Sequence, residues 1–277
     1  MPDQVFPPEI EHIIFTDACA LKELGESALN LALVARRVHI WLTPKLMETL
    51  AIRTIRPAQK YPGSWDITTL SKYGIHTRNL FLWISSPHFD SLAEQYSSLC
   101  PNITNLVIWL AYPSLPIPQL EQIANLQALT HLSLNLNRVP SSAWDNPKLL
   151  RVFNRITHLH NVATISSQWD MALFKHFTSI THVTFQYPSE KRLVPLLLTK
   201  LPASLEVLVI LEGNYTHIDH ISIYKSSLDD PRVVNIVCQA DKELDEWLLD
   251  VQKGQGIWGL ADQVVRERKK VQQGLYL

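Results

Sequence analysis

Residues 129–137 read Leu-Thr-His-Leu-Ser-Leu-Asn-Leu-Asn, a segment in which leucines recur and an asparagine comes last. Side chains alternate between the two faces of a strand, so Leu132 and Leu134 point to the same side and can enter a common core with Leu129. The side chain of Asn137 is suited to hydrogen-bond the backbone of the corner that would follow such a strand. The segment therefore predicts a short strand with one buried face and a turn at its end.

The same pattern recurs along the chain at a nearly constant spacing. Copies begin at positions 103, 129, 156, 180 and 205, which are 26, 27, 24 and 25 residues apart, and fainter copies lie at 50–52, 80–82 and 233–236. This period and the order L-x-x-L-x-L-x-x-N resemble a leucine-rich repeat. The resemblance implies an α/β fold, an irregular solenoid over residues 49–239 in which parallel strands line an inner face and helices lie outside.

The composition limits the classes of function. The chain has 277 residues, of which 46% are hydrophobic, and its 25 basic residues nearly balance its 26 acidic ones. No excess of positive charge is present to attract nucleic acid or an anionic membrane, so neither is expected as a partner. The cysteines, at positions 19, 100 and 238, fit neither a disulfide framework nor a zinc-binding spacing, which favours a reducing compartment. With no signal-peptide pattern and no membrane-spanning apolar run, we expect an intracellular protein of the cytoplasm, the nucleus or both.

Residues 1–48 do not follow the repeat, and their apolar spacing predicts a head of three short helices. The order of segments in this head is similar to an F-box. The motifs that carry the similarity are 6–10 (Phe-Pro-Pro-Glu-Ile), 13–15 (Ile-Ile-Phe), 31–37 (Leu-Ala-Leu-Val-Ala-Arg-Arg) and 42–46 (Leu-Thr-Pro-Lys-Leu). The chain departs from the family pattern at Phe6, where Leu is usual, at Ala35, where Cys is usual, and at Val38, where many members have Trp.

The F-box resemblance implies binding to the Skp-type adaptor of a cullin–RING (SCF) ubiquitin ligase. The positions carried over as adaptor contacts are Phe6, Pro7, Ile10, Ile14, Val34 and Leu42. An F-box followed by leucine-rich repeats is a known family arrangement, and it implies a substrate-recognition subunit whose repeats hold a protein substrate while other subunits transfer ubiquitin. On this interpretation the chain is not itself an enzyme. The alternative is a leucine-rich-repeat scaffold outside any ligase, whose head only caps the solenoid.

Residues 240–277 predict two helices after the repeats. The first has one apolar face, made by Leu244, Trp247, Leu248 and Val251. We expect this pair of helices to cap the open end of the array, and the alternative is a tail that crosses the inner face. Gly254, Gly256 and Gly259 match the dinucleotide fingerprint G-x-G-x-x-G, but a helix precedes them and too few residues follow for a strand–helix–strand unit. We therefore interpret them as a joint between helices, and no cofactor is expected.

Strand alternation also maps the inner face residue by residue. The side chains expected there are Asn79, Phe81, Trp83; Asn105, Val107, Trp109; His131, Ser133, Asn135; His158, His160, Val162; His182, Thr184, Gln186; and Val207, Val209, Leu211. Exposed apolar side chains in such a patch usually mark a binding surface. The residues expected to contact substrate are Phe81, Trp83, Val107, Trp109, His131 and His158. A patch covered by loops or by the C-terminal tail is an equally open interpretation.

Histidine recurs at one position of the repeat. His131, His158 and His182 should stand side by side on neighbouring strands about 5 Å apart, and His160 should point the same way. Such a patch could bind a metal, respond to pH or recognise an acidic partner. The simpler interpretation is a polar residue at a solvated position, which Asn105 fills in the preceding repeat. Since no acid or cysteine completes a ligand set, no metal site is expected.

Overall fold

The computed structural model describes residues 6–21, 30–54, 67–84, 96, 98–110, 117–164, 171–186, 193–213, 222–224, 230–238 and 242–274. The strands in these segments form one open sheet in the order β1-β2-β3-β4-β5-β6-β7-β9-β8. They are β1 (Thr49–Thr54), β2 (Asn79–Ile84), β3 (Asn105–Leu110), β4 (His131–Leu134), β5 (His158–Thr164), β6 (His182–Gln186), β7 (Val207–Gly213), β8 (Ser222–Tyr224) and β9 (Val233–Cys238). Eight of them run parallel, and β8 pairs antiparallel with β9. The predicted α/β class with a parallel sheet is confirmed.

Helices precede, separate and follow the strands. They are α1 (Pro8–Leu21), α2 (Arg36–Leu46), α3 (Ile67–Tyr73), α4 (Ile117–Ala124), α5 (Pro147–Phe153), α6 (Leu193–Lys200), α7 (Glu243–Lys253) and α8 (Ile257–Gln272). Short 3-10 helices lie at Gly74–His76, Leu136–Arg138, Ser141–Asp145 and Met171–His176. In the part of the chain that the structure describes, no helix is both long enough and apolar enough to cross a bilayer.

The repeat frame of the sequence is also the register of the sheet. Equivalent positions of successive segments pair directly, in the series Leu106, Leu132, Leu159, Val183 and Leu208. Because side chains alternate along a strand, this register places one row of aliphatic residues on the same face of every strand. The leucine spacing therefore reports which residues of neighbouring strands lie side by side.

That face packs against the connecting helices and forms the main core. Its strand side chains include Leu80, Leu82, Leu106, Ile108, Leu132, Leu134, Leu159, Val183, Phe185, Leu208 and Ile210. Leu120 of α4, Leu149 of α5 and Leu197 of α6 close the other side of the same core. Burying one aliphatic side chain of this size stabilises the fold by about 1.5–3 kcal/mol before chain entropy is subtracted. The helices outside the sheet are therefore held chiefly by this aliphatic row.

The corner after β4 differs in detail from the prediction. The backbone N–H of Asn137 donates to Oδ1 of Asn135 at 3.0 Å, and the N–H of Leu136 donates to Oδ1 of Asn161 at 3.0 Å. Asn161 is buried and lies at a register shift in β5, whereas Asn137 is exposed. Among the described residues, the side chains that satisfy this corner therefore come from Asn135 and from the next strand, not from Asn137.

The helices of residues 6–46 form a small unit in front of the sheet. Ala32, Val38 and Leu42 bury one another, and Met47, which follows α2, enters the main core of the sheet. An ion pair joins Arg37 to Glu11 on α1 at 2.6 Å. The predicted middle helix begins outside the described residues. The last helix of the head, α2, continues through Pro44 and ends at Leu46.

Helices α7 and α8 lie on the inner face, the side of the sheet opposite the main core. Buried residues Ile257, Ala261 and Val265 of α8 pack on an apolar patch made by Val207, Val209, Leu211, Val234, Ile236 and Cys238. The expectation of a cap at the end of the array is wrong, and the crossing tail is the arrangement observed. The physical reason is that β7 and β9 carry apolar side chains on both faces, and water would otherwise contact the second face.

The joint between α7 and α8 accounts for the three glycines. Gly254 ends α7 in the left-handed conformation, with φ at 61°, and its N–H donates to the carbonyl oxygen of Asp250 at 2.9 Å. A Cβ atom on Gly256 would overlap the carbonyl oxygen of Glu246, and one on Gly259 would overlap that of Gly254. The interpretation of this motif as a helix–helix joint is confirmed.

Candidate binding surface on the inner face

The inner-face side chains stand in the rows that strand alternation predicts. Phe81 pairs with Val107, Val107 with Ser133, and Ser133 with His160. One row lower, Asn105 pairs with His131, which pairs with His158. The sequence map is therefore right in its phase for these strands, and the question is what contacts each row.

An aromatic cluster occupies the inner face of β2 and β3. The rings of Phe81 and Trp109 have centroids 5.0 Å apart at 68°, and those of Trp83 and Trp109 are 5.6 Å apart at 67°. Both pairs have the edge-to-face geometry that aromatic rings favour. The indole N–H of Trp109 donates to Oγ of Ser133 at 3.0 Å, which fixes the ring across the neighbouring strand.

Of the two interpretations left open by the sequence, an exposed patch and a patch covered by the tail, the structure shows the covered one for most of the cluster. Phe81 is 0% exposed, Val107 1% and Trp109 8%, while Trp83 is partly exposed. Leu244 and Trp247 of α7 pack on the cluster, and the rings of Phe81 and Trp247 are 5.4 Å apart. The aromatic rows carry large apolar area, and the tail of the same chain removes that area from water.

The histidines form a stack on the next three strands. The ring centroids of His131 and His158 are 4.0 Å apart at 16°, and those of His158 and His182 are 4.1 Å apart at 11°. A threonine precedes each histidine, and its Oγ1 lies 2.9, 3.0 and 2.8 Å from Nδ1 of the ring in the pairs Thr130–His131, Thr157–His158 and Thr181–His182. The repeated Thr-His dipeptide therefore sets the orientation of all three rings.

Helix α8 closes over this stack. The ring of Trp258 meets those of His158 and His182 edge to face, at 5.4 and 5.7 Å. Nε2 of His182 lies 2.9 Å from Oδ1 of Asp262, one helical turn further along α8. The interpretation of the histidines as a solvated polar row is therefore corrected for His158 and His182, whose rings lie between the sheet and α8.

Burial determines the charge of these histidines. It lowers the pKa of His131 and of His160 to about 4, with repulsion from His182 adding to the effect on His131. For His158, burial and then repulsion from His131 and His182 lower the pKa to about 2. These three imidazoles are therefore neutral at neutral pH and do not offer positive charge to an acidic partner. Within the described segments, no three His, Cys, Asp or Glu side chains are placed to hold a metal ion.

A second apolar surface lies on the head. Of the predicted adaptor contacts, Phe6, Pro7, Ile10, Ile14 and Val34 are exposed, and Ile13, Leu33 and Ile40 are exposed as well. Leu42 is 0% exposed and belongs to the core of the head. Its prediction as an adaptor contact is wrong, because the inward side of α2 needs it for packing.

An open cleft of about 630 Å³ lies between the head and the start of the sheet. Its lining includes Trp41, Lys45, Glu48 and Arg78. Nζ of Lys45 and Oε2 of Glu48 lie 2.6 Å apart, so these two charges in the cleft neutralise each other. The cleft is also lined by His12 and Thr16 of α1 and by Asn102, so it lies between α1 and the turns that lead into the sheet.

The sequence map missed the residues that cover the inner face. Trp258 contacts His158, which lies about a hundred positions earlier in the chain, and Asp262 contacts His182, about eighty positions earlier. One local signal was present: β7 reads Val-Leu-Val-Ile-Leu, and a continuous apolar run predicts a strand buried on both faces. No protein-family model and no curated protein matches this chain.

Proposed function

We propose that the chain is a substrate-recognition subunit of an SCF-type cullin–RING ubiquitin ligase. In this proposal residues 1–48 act as an F-box-like head that binds a Skp-type adaptor. The sheet and its outer helices act as a leucine-rich-repeat solenoid that binds a protein substrate. The observation that carries the proposal is the exposed apolar surface of the head.

Helix α1 is oriented in a way that favours a partner. Ile10, Ile13 and Ile14 are 43%, 55% and 46% exposed, while the carboxylate of Glu11 is turned toward α2 and pairs with Arg37. A helix that served only to pack on its neighbour would bury its isoleucines and expose its glutamate. Contiguous exposed apolar side chains usually mark a surface that another protein covers.

The regular register of the sheet supports the solenoid. Equivalent repeat positions pair from β2 to β7, and α4, α5 and α6 pack on one face of the sheet. Each unit therefore buries its aliphatic row against the next unit, which is the packing that stabilises repeat arrays. The inner face opposite would then be the substrate surface, as in our residue map.

Capture of the adaptor by the tagged full-length chain tests the proposal. Ile10→Asp should abolish capture, because a carboxylate at an apolar interface loses its hydration without gaining a partner. Leu196→Asp on α6 is the matched control, since Leu196 is also 43% exposed but lies on the outer side of the sheet. Capture by wild type and by the control, with loss in Ile10→Asp, supports the proposal. Absence of adaptor from the wild-type preparation would sink it.

A second candidate is a protein-binding scaffold that works outside a ligase. The entry of Met47 into the main core favours it, because the head is then continuous with the sheet and can serve as its N-terminal cap. This candidate predicts no adaptor binding in wild type, and Ile10→Asp would then leave partner binding on the inner face unchanged.

A further inference from the structure

Helix α7 lies on the aromatic cluster in the way a ligand helix lies in a groove. Leu244 and Trp247 are three residues apart, so they project from the same side of the helix. Both pack on the cluster formed by Phe81, Val107 and Trp109. An amphipathic helix that inserts a few large apolar side chains into an apolar groove is a recurrent mode of protein recognition.

The two C-terminal helices are attached to very different extents. Three residues of α8, Ile257, Ala261 and Val265, are buried against the sheet. In α7 no side chain that the structure describes is fully buried, although Phe81 and Trp109 beneath it are buried. Most of the cluster is thus covered by a helix whose own side chains remain partly exposed, while Trp83 is also partly exposed.

The attachment of α7 also carries unfavourable electrostatic and polar terms. Nε1 of Trp247 is buried and has no hydrogen-bond partner among the described residues. Glu246 and Asp250 lie four residues apart on the helix, and burial followed by repulsion from Asp250 and Asp245 raises the pKa of Glu246. Asp250 itself accepts hydrogen bonds from the backbone N–H groups of Trp258 and Gly259, at 3.1 and 3.2 Å, so it ties α7 to the start of α8. The repulsion on Glu246 is an unfavourable contribution that a separate helix without this carboxylate would not have.

We propose that the inner face over β2 and β3 forms a groove that binds an amphipathic helix of a partner protein. The partner helix presents a leucine and a tryptophan three residues apart. Within the free chain, α7 occupies this groove. The inference rests on the proposed function, since it takes the inner face as the substrate surface. It goes beyond that function by defining the shape and chemistry of the segment recognised. The partner helix displaces α7, while α8 stays on β7 and β9.

A synthetic peptide of residues 242–253 tests the groove directly. Its binding is measured by fluorescence anisotropy to the full-length wild type and to the Leu244→Ala/Trp247→Ala variant, whose own α7 has lost both anchors. The peptide should bind the variant at least about tenfold more tightly, because a tethered segment competes at an effective concentration in the millimolar range. A peptide with the same two alanines, and one with scrambled order, should bind neither protein.

Hydrogen exchange of the wild-type chain provides a second measurement that needs no substitution. Excess peptide should accelerate exchange of the α7 amides and leave those of β2, β3 and α8 protected. Equal affinity for the two proteins, binding of the scrambled peptide, or unchanged exchange of α7 at saturating peptide would overturn the proposal. If the double variant does not fold, the wild-type exchange result decides.

The Ile10→Asp variant of the head distinguishes a failure of the groove proposal from a failure of the ligase proposal. Ile10 lies on α1, and the aromatic cluster of β2 and β3 contains no described residue of that helix. The Ile10→Asp variant should therefore bind the peptide as wild type does. Loss of adaptor capture with unchanged peptide binding would then count against the ligase alone. Adaptor capture without any peptide binding would count against the groove alone.

Discussion

Acidification from about pH 7 to about pH 5 should destabilise the fold through its buried histidines. The pKa values of His131 and His160 are lowered to about 4 and that of His158 to about 2, from an ordinary value of 6.5. Between these values and 6.5 the unfolded chain binds protons that the folded chain does not, so stability falls as the pH falls through this window. Stability from this source is complete above 6.5.

The magnitude follows from the two pKa values of each group. One imidazole with a folded pKa of about 4 and an unfolded pKa of 6.5 loses about 2 kcal/mol of stability by about pH 5. His158 and His160 add losses of similar size, because each also stays almost entirely unprotonated in the folded chain at about pH 5. Asp250 acts in the opposite direction: burial raises its pKa to about 6, which returns about 1 kcal/mol at the same pH. The net result is a loss.

Urea unfolding of wild type and His131→Asn at both pH values isolates the contribution of the stack. Asparagine is a compatible replacement, since Asn105 holds the paired position on β3. The variant should lose about 2 kcal/mol less than wild type between the two pH values, because it lacks one imidazole that the folded chain keeps neutral. Equal losses in the two proteins would show that burial and repulsion from His182 do not hold His131 neutral.

Three further substitutions test the packing. Leu132→Ala should lower the free energy of unfolding by about 2–5 kcal/mol, measured by urea titration, because it leaves a cavity in the main core; a change near zero would contradict the strand phase. Ser133→Ala should cost about 1–3 kcal/mol, because the buried indole N–H of Trp109 loses its acceptor; a wild-type melting temperature would contradict the burial of this row. Gly256→Ala should cost about 1–3 kcal/mol by forcing α7 and α8 apart, seen as faster hydrogen exchange in α7; unchanged exchange would contradict the tight joint.

The strands were predictable because their signal is local. The spacing of leucines fixes the phase of each strand, and the phase alone determines which residues share a face. That was enough to place Leu132 in the core and Phe81 and His158 on the inner face, as observed. The corner asparagine was assigned wrongly because Asn161 reaches it from the next strand through a register shift that no repeat frame encodes.

The covering of the inner face was not predictable in the same way. The contact of Trp247 with Phe81 joins residues far apart in the chain, and two amphipathic helices can bury their apolar sides at an end or on a face equally well. Which one forms depends on the shape of the assembled sheet. Leu42 shows a related limit, since a family motif gives residue types but not which of them the head needs for its own core.

The most direct test of the account is the mass of the complex that the purified full-length chain forms with a purified Skp-type adaptor. Size-exclusion chromatography with light scattering should show a one-to-one complex for wild type and for Leu196→Asp, and the two proteins eluting separately for Ile10→Asp. Separate elution of a folded wild-type chain and the adaptor would contradict the proposal that residues 1–48 bind a Skp-type adaptor.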